Sequence, residues 1–206
     1  MGIRVVCKSL FLSLVVVSCF SLSMQPQKAW AQSDTSCQID NKSLNDLVCN
    51  DPVLNALHLN LNQHLLQVKK RVSGQMEQLL MQDQEGWQQA REACLEGDEP
   101  AKCLNDVYLI RDAELQVRFG LITPSKVVNY SCDQQKQLPL QARYFETEPG
   151  LMMATFLHTN VLMFREPTAS GVFYKSQEAE FKEHQGQISF KWMGVEQPLA
   201  CVVVGA

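Results

Sequence analysis

Residues 117–124, with the sequence VRFGLITP, separate two parts of this 206-residue chain that differ in hydrophobic pattern. Before this stretch, apolar residues recur every three or four positions, which is typical of amphipathic helices. After Thr123 and Pro124, short β-branched and aromatic runs alternate with turn residues, which is typical of an antiparallel sheet. We therefore predict an α+β chain with two domains, residues 32–121 and residues 122–206.

The first domain is predicted to be a small antiparallel bundle of three helices. The first helix begins at Asp51, an N-cap residue followed by proline, and reaches the basic residues 69–71. The second ends near Cys94, and the third ends around Gly120. The apolar positions expected to face inward are Leu54, Leu57, Leu61, Leu65 and Val68, then Met76, Leu79, Leu80, Trp87 and Ala90, then Leu104, Tyr108, Leu115 and Val117.

Seven short strands are predicted in the second domain. They cover residues 127–132, 138–144, 151–158, 160–165, 171–174, 187–192 and 199–204. Short strands in such close succession favour a small antiparallel barrel or sandwich.

The first 31 residues have the organisation of a secretory signal peptide. Arg4 and Lys8 form a basic start, residues 10–24 are mostly apolar, and Ala29-Trp30-Ala31 places small residues at a cleavage site. The apolar run is too short for a comfortable membrane span, so we expect no integral span. Cleavage would leave Gln32 as the first residue of a periplasmic protein.

An alternative interpretation of the same segment uses residues 16–19. Their sequence, VVSC, resembles a lipobox, which would make Cys19 a lipidated amino terminus. The protein would then be an outer-membrane lipoprotein.

The mature chain is predicted to be acidic. The formal charge of the whole chain is −4 at pH 7, and removing residues 1–31, which hold three basic and no acidic side chains, leaves −7. Nucleic-acid binding needs a basic surface, so this charge argues against a nucleic-acid partner. It suits a cationic partner, because opposite charges accelerate encounter.

Six cysteines remain after removal of the signal, and an even number in an exported protein indicates disulfides. No Cys-x-x-Cys pair is present, so a redox role is not favoured. Membership of the two domains groups the cysteines into three proposed pairs: Cys37 with Cys49, Cys94 with Cys103, and Cys132 with Cys201.

The sequence contains no recognised catalytic or ligand motif. Its four histidines, His58, His64, His158 and His184, show no metal-ligand spacing with each other or with cysteine. Nucleophile-elbow, phosphate-loop and dinucleotide fingerprints are also absent. We therefore expect no metal, no cofactor and no enzymatic activity, which leaves a binding function as the default.

The helical domain resembles the LprI-type amino-terminal domain. The resemblance implies a small, helical, exported domain of a family named after a lysozyme inhibitor. It rests on Cys37-x11-Cys49-Asn50-Asp51-Pro52-x-Leu54, on Gln84-x2-Trp87-x3-Arg91-x2-Cys94, and on Cys103, Leu104, Tyr108 and Arg111. The helical spacing of Trp87, Arg91, Tyr108 and Arg111 would also allow them to pack and clamp a three-helix core.

The second domain is similar to the MliC/PliC family. The similarity rests on Tyr130-Ser131-Cys132, on TASGVFY at residues 168–174, on Phe181 and on the closing Cys201. It implies a small antiparallel β-barrel that inhibits chicken-type lysozymes in the periplasm or from a lipid anchor. In that family, the serine before the glycine and the lysine of a second motif, Phe-Trp-x-Lys-Gly, enter the lysozyme cleft and contact the catalytic carboxylates.

Carried over residue by residue, the serine, glycine and tyrosine of the family fall on Ser170, Gly171 and Tyr174. The lysine position falls on His184, because residues 181–186 have the sequence FKEHQG and depart from the second motif. Lys182, displaced by two residues, is the alternative cation. His184 would supply a cation only when protonated, so inhibition is expected to strengthen as the pH falls through the histidine range.

These observations and resemblances predict a periplasmic, non-enzymatic inhibitor of C-type lysozyme. It would block the active-site cleft of lysozyme with a Ser-Gly turn and a neighbouring basic loop. The alternative is a non-inhibitory cell-envelope scaffold protein that keeps both folds and binds another protein or peptidoglycan.

Overall fold

A computed structural model describes residues 37–133 and 135–204 of the chain. The predicted signal peptide, its cleavage site and the lipobox residue Cys19 lie outside the described residues. Within the described residues, helices come first and strands follow, so the predicted α+β class is confirmed.

The helical part, from residue 37 onward, contains four α-helices rather than the three predicted. Sequence reasoning missed the first of them because its nine residues are fewer than the window over which a helical period is counted, although Leu44, Leu47 and Val48 have helical spacing. A short 3-10 turn at Cys94–Glu96 follows the third. The helices are α1 (Lys42–Asn50), α2 (Pro52–Lys69), α3 (Gln75–Ala93) and α4 (Pro100–Arg118).

The predicted cap at Asp51 is confirmed. Its Oδ1 accepts hydrogen bonds from the backbone N–H groups of Val53 and Leu54 at 2.8 and 3.0 Å. Pro52, which has no N–H to satisfy, occupies the first turn of α2. The same Asp51 ends α1, so one residue separates the two helices.

The inner face of α3 differs from the predicted one. Met76 and Leu79 are 50% and 45% exposed, and Ala90 is exposed as well. Gln84 and Arg91 are buried instead. Polar residues can occupy these interior positions because each finds a hydrogen-bond partner on α4, and apolar periodicity gives no sign of them.

Two arginines tie α3 to α4 inside the helical core. Arg111 donates from Nε and Nη2 to Gln84 Oε1 at 3.2 and 3.1 Å. Arg91 donates to the Tyr108 hydroxyl at 3.4 Å, and its guanidinium lies 4.8 Å from the centre of the Trp87 ring. These contacts clamp the helices together, as the helical spacing of the four residues predicted.

His58 on α2 joins the same network. Its Nδ1 lies 3.2 Å from the Tyr108 hydroxyl, and its Nε2 lies 3.0 Å from Asn62 Nδ2. Burial, and then the charge of Arg91, lower the pKa of His58 from 6.5 to about 4. The folded protein therefore holds this imidazole neutral at neutral pH.

The second part is a closed antiparallel barrel in which each strand pairs with its sequence neighbours and the last strand returns to the first. Closure confirms the barrel and excludes the sandwich that the strand pattern also allowed. The strands are β1 (Lys126–Cys132), β2 (Leu138–Phe145), β3 (Leu151–Phe156), β4 (Thr159–Arg165), β5 (Val172–Lys175), β6 (Ala179–His184), β7 (Gln187–Trp192) and β8 (Leu199–Val203).

The prediction of seven strands is wrong by one, because it missed β6. This strand has the sequence AEFKEH, in which Phe181 is the only large apolar side chain. Phe181 and Ala179 point into the barrel core, while Glu180 and Lys182 point outward. So few apolar residues gave no strand signal, although the pairing of β6 with both neighbours is complete.

All three predicted disulfides are confirmed. Cys37–Cys49 fixes the segment before α1, and Cys94–Cys103 joins the end of α3 to the start of α4. Cys132–Cys201 connects β1 to β8, where residues 130–132 pair with residues 201–203. The third disulfide therefore lies at the closure of the barrel.

An apolar cluster joins α4 to the barrel. Ala113 and Val117 of α4 are buried together with Phe145, at the end of β2, and Leu151, at the start of β3. The partly buried residues packed around them are Ile122, Met153, Leu162 and Phe164. Apolar contacts thus cross the boundary proposed between residues 121 and 122, and a barrel without α4 would lack the cover over Phe145 and Leu151.

We expect Val117→Asp to destabilise the oxidised protein by about 2–4 kcal/mol, because it places a carboxylate in this apolar cluster. Val53→Asp is the matched control, since Val53 is 61% exposed. Urea unfolding at neutral pH measures both variants. Equal midpoints for the two would contradict a stabilising contact between α4 and the barrel.

Acidification should destabilise the protein through His58. Its folded pKa is lowered from 6.5 to about 4, so the unfolded chain takes up a proton that the folded chain does not. Above the unfolded pKa of 6.5, the free energy of unfolding is unaffected. Near pH 4.5 it is lower by about 2 kcal/mol.

Urea unfolding at neutral pH and near pH 4.5 measures this effect in the wild type and in His58→Leu. The variant should lose less stability on acidification than the wild type. The same pH dependence in His58→Leu and wild type would show that the folded state accepts the proton.

Candidate functional site

Gly171 fixes the loop that carries Ser170. Its φ is +79°, and a Cβ at this position would overlap the carbonyl oxygen of Glu183 on β6. Glycine is therefore required both by the backbone conformation and by the close approach of the two chains. We call residues 168–171 the Ser170 loop.

The Ser170 side chain meets the end of β6. Its Oγ lies 3.1 Å from Nδ1 of His184, and both residues are exposed. The hydroxyl donates to Nδ1 when that nitrogen is bare, and accepts from it when the imidazole is protonated there. Thr168 Oγ1 donates to the Ser170 carbonyl at 3.1 Å and tightens the loop.

His184 stands at the tip of the hairpin formed by β6 and β7. It pairs with Gln187, and the two residues between them, Gln185 and Gly186, have φ values of +48° and +79°. Positive φ at both central positions is typical of the two-residue turns that match the twist of paired strands. His184 is therefore held by a regular hairpin.

Lys182, the alternative cation, is engaged elsewhere. Its Nζ lies 3.0 Å from Glu180 Oε2, and it also lies 4.7 Å from the centre of the Phe173 ring. Lys182 and His184 point to the same side of β6, since they are two residues apart. The imidazole, and not the ammonium, is the group that contacts Ser170 within the described residues.

Tyr174, the fourth predicted site residue, lies in the barrel core. It is 7% exposed, and its ring makes an edge contact with Tyr144 at a centroid distance of 5.7 Å. The Tyr144 hydroxyl in turn lies 3.0 Å from that of Tyr130. Burial raises the pKa of all three phenols, so they stay neutral.

The structure thus brings together Ser170, Gly171 and His184, buries Tyr174 in the barrel core, and leaves Lys182 in an ion pair. Sequence reasoning missed two contributors, Thr168 and Glu183. A threonine two residues before Ser170 is a signal for a side chain that stabilises a turn. The role of Glu183 resides in its backbone carbonyl, which no sequence pattern marks.

The described residues contain no group of three or more His, Cys, Asp or Glu side chains that could hold a metal ion. Among the same residues, no helix is both long and apolar enough to cross a membrane.

Comparison with known proteins covers both parts of the chain. Residues 130–198 match the family model MliC, described as membrane-bound lysozyme-inhibitor of c-type lysozyme. The chain is also 28% identical over 150 residues to "Lipoprotein LprI" of Mycobacterium bovis, covering 72% of this chain and 74% of the relative. The LprI lipoproteins of two Mycobacterium tuberculosis strains match with the same values. No solved structure matches.

Both resemblances seen in the sequence are therefore confirmed. The matched residues 130–198 begin within β1 and end just before β8, so they cover most of the barrel, and the Ser170 loop and His184 lie inside them. The chain is thus similar to the LprI lipoproteins over 72% of its length, and residues 130–198 are similar to the MliC family of lysozyme inhibitors.

Proposed function

We propose that this protein inhibits c-type lysozyme by inserting the Ser170 loop and His184 into the active-site cleft of the enzyme. The observation that carries the proposal is the exposed contact between Ser170 Oγ and His184 Nδ1. It presents a hydroxyl and an ionisable imidazole side by side. Gly171 allows the loop to pack against β6, which fixes the position of both groups.

The chemistry of the target suits these two groups. A c-type lysozyme cleaves its glycan with two carboxyl groups, one protonated acid and one carboxylate. A hydroxyl can donate to one of them, and a protonated imidazole can donate to the other with charge assistance. Occupation of the space between the carboxyl groups would exclude the sugar.

The remaining surface favours the same kind of partner. The chain would carry a formal charge of −7 after removal of residues 1–31, which attracts a basic enzyme over long range. Lys182 adds little local repulsion, because Glu180 pairs with it.

We propose the cell envelope as the location. The family description names a membrane-bound inhibitor and the relatives are named lipoproteins, which supports an envelope protein. The periplasm is the specific compartment proposed, with an outer-membrane lipoprotein as the alternative if Cys19 is lipidated. The proposed activity requires no catalysis by this chain.

Removal of either polar group should weaken inhibition. We expect Ser170→Ala and His184→Ala each to raise the inhibition constant about tenfold or more, the loss typical of a charge-assisted hydrogen bond. The His184→Ala effect should be larger at pH 5.5 than at pH 7.5, since protonation supplies the charge. Lysozyme assays on peptidoglycan at both pH values measure this.

Lys182→Ala is the matched control, because it removes a cation from the same strand without touching Ser170. It should leave the inhibition constant nearly unchanged. Full inhibition by Ser170→Ala and His184→Ala, with both folded by circular dichroism, would move the inhibitory site elsewhere. Loss of inhibition in Lys182→Ala alone would reassign the cation to Lys182.

A further inference from the structure

A cleft of about 520 Å³ lies beside the β5–β6 turn, at the opposite end of that hairpin from Gly171 and His184. Its walls are residues 176–178, which connect β5 to β6, and residues 193–195, which follow β7. Trp192 and Met193 contribute apolar surface to it. Its volume falls in the range of small-ligand sites.

The walls of this cleft are already ordered. Ser176 Oγ accepts hydrogen bonds from the N–H groups of Glu178 and Ala179 at 3.1 and 3.0 Å. The Met193 N–H donates to the Glu178 carbonyl at 2.7 Å, which ties one wall to the other. The cleft is therefore preformed, and ordering it on ligand binding would cost little conformational entropy.

The apolar surface of the cleft is anchored in the barrel core. The Trp192 ring lies 5.5 Å from that of Phe156 and 5.9 Å from that of Phe190, measured between centroids. Met193 is 68% exposed and offers its side chain to an incoming group.

The charged groups of the cleft differ in how closely they are paired. Glu180 lies 3.7 and 3.0 Å from the ammonium groups of Lys175 and Lys182. The hydrogen bond from Lys182, and then the charges of Lys182, Lys175 and Lys191, lower the pKa of Glu180, and Lys191 is its partner in the β6–β7 pairing. Lys191, Glu166 and Glu178 line the cleft, and none of them lies within 4 Å of an opposite charge among the described residues. Three lysines share the Glu180 carboxylate, so the cleft offers charge of both signs beside an apolar surface.

We propose that this cleft binds a short peptide with a free ammonium and a free carboxylate group. Glu166 and Glu178 would receive the ammonium, Lys191 the carboxylate, and Trp192 and Met193 an apolar side chain. A purely anionic ligand would be repelled by the glutamates, and a purely cationic one would be repelled by the lysines. The site is separate from the Ser170 loop and does not depend on lysozyme inhibition.

The test is an NMR titration of the mature protein with the dipeptide Leu-Ala, followed at the Met193 methyl and the Trp192 indole. We expect saturable shifts with a dissociation constant of about 1 mM, and binding at least about tenfold weaker for N-acetyl-Leu-Ala-amide. Glu178→Gln and Lys191→Gln should each weaken binding about fivefold. Glu148→Gln, which changes an exposed carboxylate of the β2–β3 loop, is the matched control.

Absence of shifts at 20 mM Leu-Ala would overturn the proposal, as would equal binding of the capped dipeptide. Equal affinity in Glu178→Gln, Lys191→Gln and Glu148→Gln would place binding outside the cleft and overturn it as well. Lysozyme inhibition measured on the same variants should stay at the wild-type level, which keeps the two sites distinguishable.

Discussion

The barrel closes through a short seam between β1 and β8, and the geometry of the other strands depends on that seam. Three residue pairs form it, and the Cys132–Cys201 disulfide joins its two strands. Because every other strand pair joins neighbours in sequence, an open seam would leave two free edges. The pairing of β5 with β6, which brings Gly171 beside Glu183 and His184, belongs to this closed sheet.

Backbone geometry, more than charge, builds the candidate site. Gly171 allows the loop to lie against the Glu183 carbonyl, and the tight turn after His184 holds the imidazole at the end of its strand. A rigid support of this kind lets two modest polar groups act together, because little ordering is needed on binding. The helical part contributes at a distance, through the packing of α4 on the barrel.

Much of this fold follows from the sequence because local patterns determine it. Asp51 caps α2 by side-chain chemistry alone, and the cysteines pair within their own part of the chain. The features that the sequence did not predict depend on tertiary context. Helix α1 is too short to show a period over several turns, and strand β6 has one large apolar residue. Gln84 is buried because Arg111 donates to it, and Val117 packs on strands that the helical pattern cannot indicate. The same limit applies to the site: the family motif indicated Ser170 and His184, but only the folded chain shows their contact.

The most direct test of the central claim is whether the protein and an active-site saccharide compete for lysozyme. The measurement is the affinity of residues 32–206, with the disulfides oxidised, for a c-type lysozyme, with and without a chito-oligosaccharide that fills the cleft. Insertion of the Ser170 loop predicts mutual exclusion, so that the apparent dissociation constant rises in proportion to saccharide concentration. A ternary complex with unchanged affinity would contradict the account and would place the contact outside the lysozyme cleft.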